Sequence, residues 1–355
     1  MGRQGLEQTA RELVAEGKGI LAADETVSTI TKRFDALKIT STEDSRRTYR
    51  EMFFTTPGAT DFISGVIMYD ETIRQKNAAG IPLAEVLSKQ GIIPGIKVDT
   101  GAKVFAGSPE EKMTEGLDGL RERLKEYAAM GARFAKWRAV IRITDKLPSP
   151  MCVNVNAHAL ARYAALCQEQ GIVPIVEPEV LMDGAHTIER CEEVTSSVLH
   201  TVFDALFEQC VRLEGMLLKP SMVIAGKVCP KQASVQEVAT ATLRCLRRHV
   251  PAAVPGIVFL SGGQSSVTAT AHLDAINRLG GPKPWAISFS YGRALQDVAL
   301  EAWHGQKENL KAGQQAFHHR AKCNSEAARG RYTDQLEREP AGANAPAHRS
   351  DWHDD

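Results

Sequence analysis

The feature that most narrows the fold is a rhythm. Eight short apolar runs, each too short for a helix, alternate with longer stretches whose apolar residues recur at helical spacing. The runs are residues 20–23, 63–68, 92–98, 133–138, 172–177, 216–218, 257–260 and 286–289. Helices are expected at about 6–16, from 26 or 28, after the cap-like Ser41-Thr42-Glu43-Asp44, and over 114–130, 156–170, 188–213, 235–249, 267–279 and 293–328. Strands separated by helices pair in parallel, and eight of them make a closed (β/α)8 barrel, the TIM barrel of the α/β class. An open doubly wound sheet is the alternative. It would carry a Gly-rich turn after the first run, where this chain reads Ala23-Asp24-Glu25-Thr26-Val27. Large apolar residues become scarce near the end, so the expectation is a single barrel over 1–330 and a polar, flexible tail over 331–355.

What ends the runs points to chemistry. Asp24, Lys97, Lys136 with Arg138, Glu177 with Glu179, Lys219, Ser261 and Ser290 all lie at or near carboxyl ends. A barrel gathers those ends on one face, where barrel enzymes keep their active sites. Lys219 is the sharpest case: Met216, Leu217 and Leu218 lead into it and Pro220 follows. Dry surroundings disfavour an ammonium, so a lysine there can lose its proton and attack a carbonyl as a Schiff-base nucleophile. Taken alone, a lysine at a strand end is more often a solvated edge residue. In Lys136-Trp137-Arg138 the two cations share a face and Trp137 points to the helices. Glu177 and Glu179 share a face too, unless Pro178 breaks the strand. Each pair has a bland reading as a structural ion pair. Three charged clusters converging on one rim demand mutual neutralisation or function.

Two loops look built for phosphate. Ser261-Gly262-Gly263-Gln264-Ser265 precedes a helix, and Ser290-Tyr291-Gly292-Arg293 adds a guanidinium beside a glycine. Barrels frequently bind phosphate with the loops after strands seven and eight. Lys97, Arg138 and Arg33 offer a second cationic group, which implies a substrate phosphorylated at both ends. Composition excludes other classes. Lys+Arg 43 balances Asp+Glu 43, so a nucleic-acid partner is not expected. The seven cysteines form no C-x-x-C pair and read as reduced thiols of a cytoplasmic protein. The ten histidines are dispersed apart from His318-His319, so no metal site is expected. No apolar run approaches a membrane span.

Seven segments carry a resemblance: 17–25 (GKGILAADE), 95–99 (GIKVD), 134–138 (FAKWR), 172–179 (IVPIVEPE), 217–220 (LLKP), 260–265 (LSGGQS) and 289–294 (FSYGRA). In order and spacing they resemble class I fructose-bisphosphate aldolase, from about residue 10 to about residue 330. The resemblance implies that Lys219 is the Schiff-base lysine, Glu177 the main acid/base and Asp24 the group that handles the C4 hydroxyl proton. Lys136 and Glu179 would complete the catalytic group. Ser261, Gly262, Gly292 and Arg293 would hold the C1 phosphate, with Lys97, Arg138 and Arg33 toward the C6 phosphate. The implied activity is reversible cleavage of fructose 1,6-bisphosphate in glycolysis and gluconeogenesis. It needs no cofactor beyond the covalent imine and no metal, and the implied assembly is a homotetramer. Two departures stand out. The family's Ser-Thr-Gly is here Thr26-Val27-Ser28, and its terminal tyrosine has no counterpart in Trp352-His353-Asp354-Asp355. The rivals are another Schiff-base barrel, such as a transaldolase, and a non-catalytic scaffold. A scaffold would be expected to have lost Lys219, Glu177 or Asp24, and all three are present.

Overall fold

Alternation along a strand sorts side chains into an inward and an outward row, and here the inward rows change character along their length. The computed structural model describes residues 3–339. Its barrel strands are β1 (Gly19–Ala23), β2 (Ile63–Met68), β3 (Ile93–Lys97), β6 (Phe134–Ile141), β7 (Val173–Val180), β8 (Leu217–Leu218), β9 (Gly256–Phe259) and β10 (Ala286–Tyr291). All neighbours are parallel, and β10 closes on β1 with Ile20 beside Ser290. The expected eightfold barrel is therefore what forms.

At the amino-terminal end the inward rows are apolar. Ile20, Ala22, Ile67, Ile93, Phe134, Val173, Ile175, Leu217 and Val258 make one buried cluster with Leu6, Ala10, Leu13 and Val14. The first helix (Arg3–Leu13) thus plugs that mouth of the barrel. Two to four residues further along the same rows stand Asp24, Lys97, Lys136, Glu177 and Lys219. The charges rest on a dry floor, where each must find a partner. Outward residues such as Leu21, Ile96, Trp137, Val176, Leu218 and Phe289 pack against the helices. Trp137 stacks on Tyr163 at 5.6 Å, as its alternation with Lys136 and Arg138 requires. The Tyr163 hydroxyl meets the carbonyls of Ala135 and Ile175 at 2.7 and 3.1 Å, tying the helix Pro150–Glu169 to β6 and β7.

Tight floor packing needs glycine. A Cβ on Gly95 would lie 2.3 Å from the Phe134 ring, and on the outward face of β1 one on Gly19 would lie 2.5 Å from Phe289. Gly95→Ala is expected to cost about 1–3 kcal/mol, the usual penalty of overpacking. Urea unfolding measures it, and an unchanged midpoint would contradict this account of the floor.

Two expectations are corrected and one open point is resolved. The helix expected over 114–130 begins only at Leu120. Before it, β4 (Gly101–Phe105) and β5 (Ser108–Glu115) form an antiparallel hairpin outside the barrel. Tertiary partners decide this: Thr114 donates from Oγ1 to the Arg138 carbonyl at 2.8 Å, and Glu111 accepts from the Ser149 N–H at 2.7 Å. Second, Pro178 does not break β7, which runs to Val180. Odd-numbered residues of β7 send their N–H toward β6, as Val173 does to Arg133 at 3.0 Å. Pro174 and Pro178 therefore face β8, which supplies only two residues, and no ladder bond is lost. Third, ordered packing continues past residue 330. Tyr332 is buried, its N–H donates to Asp274 at 2.9 Å, and its hydroxyl donates to Glu337 at 2.6 Å. Arg320 pairs with Glu337 at 2.5 Å from the helix Leu310–Ala328. The rest of the expected tail, 340–355, lies outside the described residues.

Candidate active site

Four buried charges form a chain at the carboxyl-terminal mouth. Asp24 follows β1, Lys136 and Glu177 lie within β6 and β7, and Lys219 follows β8. Lys136 Nζ is 2.7 Å from Asp24 Oδ2 and 3.3 Å from Glu177 Oε2. Glu177 Oε1 is in turn 3.2 Å from Lys219 Nζ. Two ammonium groups and two carboxylates neutralise one another, which is how such burial becomes tolerable. Lys136, Glu177 and Lys219 are each only 3% exposed. The Lys219 N–H bonds the Val176 carbonyl at 2.8 Å, so the backbone aims its side chain along the inward row beside Glu177.

The electrostatics are asymmetric. Burial alone would raise the Asp24 carboxyl, but the cations of Lys136, Lys219 and Lys97 outweigh it and hold the group below its usual range. Burial would likewise depress Lys136, yet Asp24, Glu177 and Asp99 hold its proton on and push it well upward. Lys136 is thus a fixed positive charge. At the mouth, two buried side-chain oxygens make no hydrogen bond to the described residues. Glu177 Oε2 meets Lys136 without hydrogen-bond geometry, and the buried hydroxyl of Ser290 on β10 has no hydrogen-bond partner. By alternation Ser290 faces inward, toward the mouth.

The other expected residues are distributed around this chain. Glu179 is on the same face as Glu177 but does not touch Lys219; it accepts from Arg138 Nε. The terminal nitrogens of Arg138 have no protein partner among the described residues, and its side chain is 43% exposed. Lys97 is held by the Asp99 carboxylate at 2.6 Å and the Asp99 carbonyl at 2.7 Å. Asp99 also accepts from the Arg138 N–H at 3.2 Å and so ties β3 to β6. Arg33, on the helix Val27–Ala36, stays apart from the four charges. It is committed to Glu25 at 2.5 Å, Asp297 at 2.8 Å, Gln296 at 3.1 Å and Tyr49 at 3.3 Å. Sequence reasoning missed Asp99, Glu25, Gln296 and Asp297. Asp99 alone had a local signal, two residues beyond Lys97.

The loop after β9 turns through Gly262 and Gly263, whose φ values of 60° and 93° are left-handed and suit glycine. Ser261 and Gly262 lead to the helix Ser266–Arg278, and Gln264 is pinned by His272 at 2.6 Å. Burial pushes His272 down to about 4, so it is neutral at pH 7. Arg293 opens the helix Arg293–Trp303 directly after Gly292. Its exposed side chain has no protein partner among the described residues, and a Cβ on Gly263 would lie 3.1 Å from its Nη2. The Arg293 guanidinium thus lies over the Gly262-Gly263 turn that follows Ser261, while Gly292 sits against the end of β1 at Ala22. No group of three or more histidine, cysteine, aspartate or glutamate side chains suited to a metal occurs among the described residues.

Comparison with known proteins places this arrangement. The family model described as fructose-bisphosphate aldolase class-I matches residues 5–350. A Xanthomonas campestris protein named probable fructose-bisphosphate aldolase class 1 is 57% identical over 333 residues, covering 94% of this chain and 99% of that one. The cytosolic fructose-bisphosphate aldolase 4 of Arabidopsis thaliana is 53% identical over 316 residues, covering 89% of this chain and 80% of the relative. Among solved structures, Plasmodium falciparum fructose-bisphosphate aldolase, in a complex with TRAP and a small-molecule inhibitor, superposes with a TM-score of 0.91 at 52% identity. That match covers 93% of this chain and 95% of the other. A closed barrel with its charges at the carboxyl mouth and full-length likeness of this degree make the chain a member of the class I fructose-bisphosphate aldolase family, carbon–carbon lyases that need no metal ion.

Proposed function

We propose that the enzyme reversibly cleaves fructose 1,6-bisphosphate to dihydroxyacetone phosphate and glyceraldehyde 3-phosphate through an imine on Lys219. The observation that carries this reading is the Asp24–Lys136–Glu177–Lys219 chain, which sets a nucleophile, a proton carrier and a base side by side. Asp24, Glu177 and Asp99 hold the proton on Lys136, so it serves as the fixed cation and Lys219, on the other side of Glu177, is assigned the role of nucleophile. Its free amine adds to the C2 carbonyl, and Glu177 delivers the protons that let water leave. The protonated imine is an electron sink. Asp24, held ionised by its cationic neighbours, takes the C4 hydroxyl proton as the C3–C4 bond breaks and its electron pair flows into an enamine. The aldehyde departs, C3 is reprotonated, and hydrolysis of the imine restores the amine.

The phosphate assignments follow the same logic. Ser261, Gly262, Gly292 and Arg293 hold the C1 phosphate, nearest the imine, while Lys97 and Arg138 face the C6 phosphate. Arg33 reaches that phosphate only by exchanging Glu25 or Asp297 for it. Arg293→Ala is expected to raise the KM for fructose 1,6-bisphosphate by roughly tenfold or more, the worth of a charge-assisted contact, without loss of stability. An unchanged KM would place Arg293 outside the site. A homotetramer working in the cytoplasm, in glycolysis and gluconeogenesis, completes the proposal. It is supported by the family's habit and by the cytosolic Arabidopsis relative. Among the described residues no helix is long and apolar enough to cross a membrane. The direct test is product analysis: fructose 1,6-bisphosphate should yield the two triose phosphates in equal amounts, with EDTA present. Absence of aldehyde, or complete loss on chelation, would contradict the reading.

A further inference from the structure

A cation that the mechanism above does not use stands over the phosphate loop. Lys227 lies in the segment after β8, and a Cβ on Gly263 would lie 3.1 Å from its Nζ, the same distance as from Arg293 Nη2. The two charges thus lie within about 6 Å of one another, where like charges repel unless an anion joins them. The position is built. Lys227 donates its N–H to the Met182 carbonyl at 2.8 Å, between Gly226 bonded to His186 at 2.8 Å and Val228 bonded to Gly184 at 3.1 Å. A Cβ on Gly226 would lie 2.3 Å from the Gly184 carbonyl oxygen, so only glycine lets the two loops meet this closely. Lys227 Nζ is meanwhile held by Asp183 at 3.0 Å, in a pair whose side chains are 42% and 66% exposed. An exposed pair of that kind contributes little to stability and can exchange partners readily.

We propose that Lys227 is a phosphate-binding residue of this site, passed from Asp183 to the substrate phosphate beside Arg293, and that Asp183 thereby sets affinity for that end of the substrate. The inference rests on the aldolase reading for the identity of the ligand, a phosphate monoester, and deepens it by adding a specificity-determining pair. It makes opposite predictions for the two partners. Removing Lys227 takes a charge from the phosphate, whereas removing the Asp183 charge frees Lys227 for it. A mere latch between the two loops would make both variants behave alike.

Inorganic phosphate titrated into the full-length protein by calorimetry at low ionic strength reads this without reference to turnover. Lys227→Met should weaken phosphate roughly fivefold, and Asp183→Asn should tighten it roughly threefold, as befits partly exposed charges. The double variant should bind as weakly as Lys227→Met alone. Wild-type affinity in Lys227→Met, equal or weaker binding in Asp183→Asn, or no phosphate binding by the wild type would each overturn the proposal. Borohydride trapping of dihydroxyacetone phosphate on the wild type separates the two readings. Trapping together with unchanged phosphate affinity in Lys227→Met sinks the Lys227 assignment alone. Titrations as expected without any trapping sink the reaction alone.

Discussion

Lys219→Met is expected to give a folded protein whose cleavage of fructose 1,6-bisphosphate is down by at least about 10⁴-fold, the order seen when a covalent nucleophile is removed. Folding should survive because Glu177 keeps Lys136 at 3.3 Å and methionine fills nearly the same dry volume. Lys136→Met is the instructive contrast. It deprives both Asp24 and Glu177 of their shared cation, and a buried ion pair that loses one member costs about 3–5 kcal/mol. Steady-state kinetics and urea unfolding on the two variants separate the roles. Residual cleavage by Lys219→Met within tenfold of wild type would mean that another group forms the imine. Equal stability of the two variants would mean that the charges do not neutralise one another as their geometry indicates.

Asp24→Asn should separate the two halves of the reaction. Cleavage is expected to fall roughly 10²–10⁴-fold, the range for losing one acid–base group. Imine formation with dihydroxyacetone phosphate should persist, because that ketose has no C4 hydroxyl to deprotonate. Loss of both would make Asp24 a structural counter-ion only. The variant also carries a pH signature. The Asp24 carboxyl is held below its ordinary 3.8 in the folded protein, because its cationic neighbours overcome the effect of burial. A depressed carboxyl adds stability above its unfolded pKa and loses it as pH falls through the folded one. The stability gap between wild type and Asp24→Asn should therefore hold steady from neutral pH to about 5 and narrow below about 4. A gap that widens on acidification would reverse the sign assigned to this residue.

The inward rows explain why so much of the site was legible. Ile20-Ala22-Asp24, Phe134-Lys136-Arg138 and Val173-Ile175-Glu177-Glu179 each carry their message in residues two apart, and a strand needs only local geometry to put them on one face. Lys219 was legible for the same reason, since Leu217 sits two residues before it on the inward side. What escaped depends on partners distant in the chain. Nothing near Arg33 announces Gln296 and Asp297, which meet it only because the helices Val27–Ala36 and Arg293–Trp303 flank the closure of β1 on β10. The hairpin β4–β5 has no clean apolar alternation, and it is held by Asn156, Ser149 and the Arg138 carbonyl. Residues 332–338 looked like tail by composition, yet buried Tyr332 and Leu336 and the Arg320–Glu337 pair dock them. Composition measures how much apolar surface a segment has, whereas docking depends on where a few groups land.

In the proposed mechanism one buried lysine, Lys219, carries the carbon–carbon chemistry as an imine. Dihydroxyacetone phosphate and borohydride, followed by proteolysis and mass spectrometry, test it most directly. Irreversible loss of activity is expected, with a single reduced adduct on the peptide containing Lys219 and no adduct in Lys219→Met. An adduct on Lys136, Lys97 or Lys227 instead, or inactivation that leaves Lys219 unmodified, would contradict it.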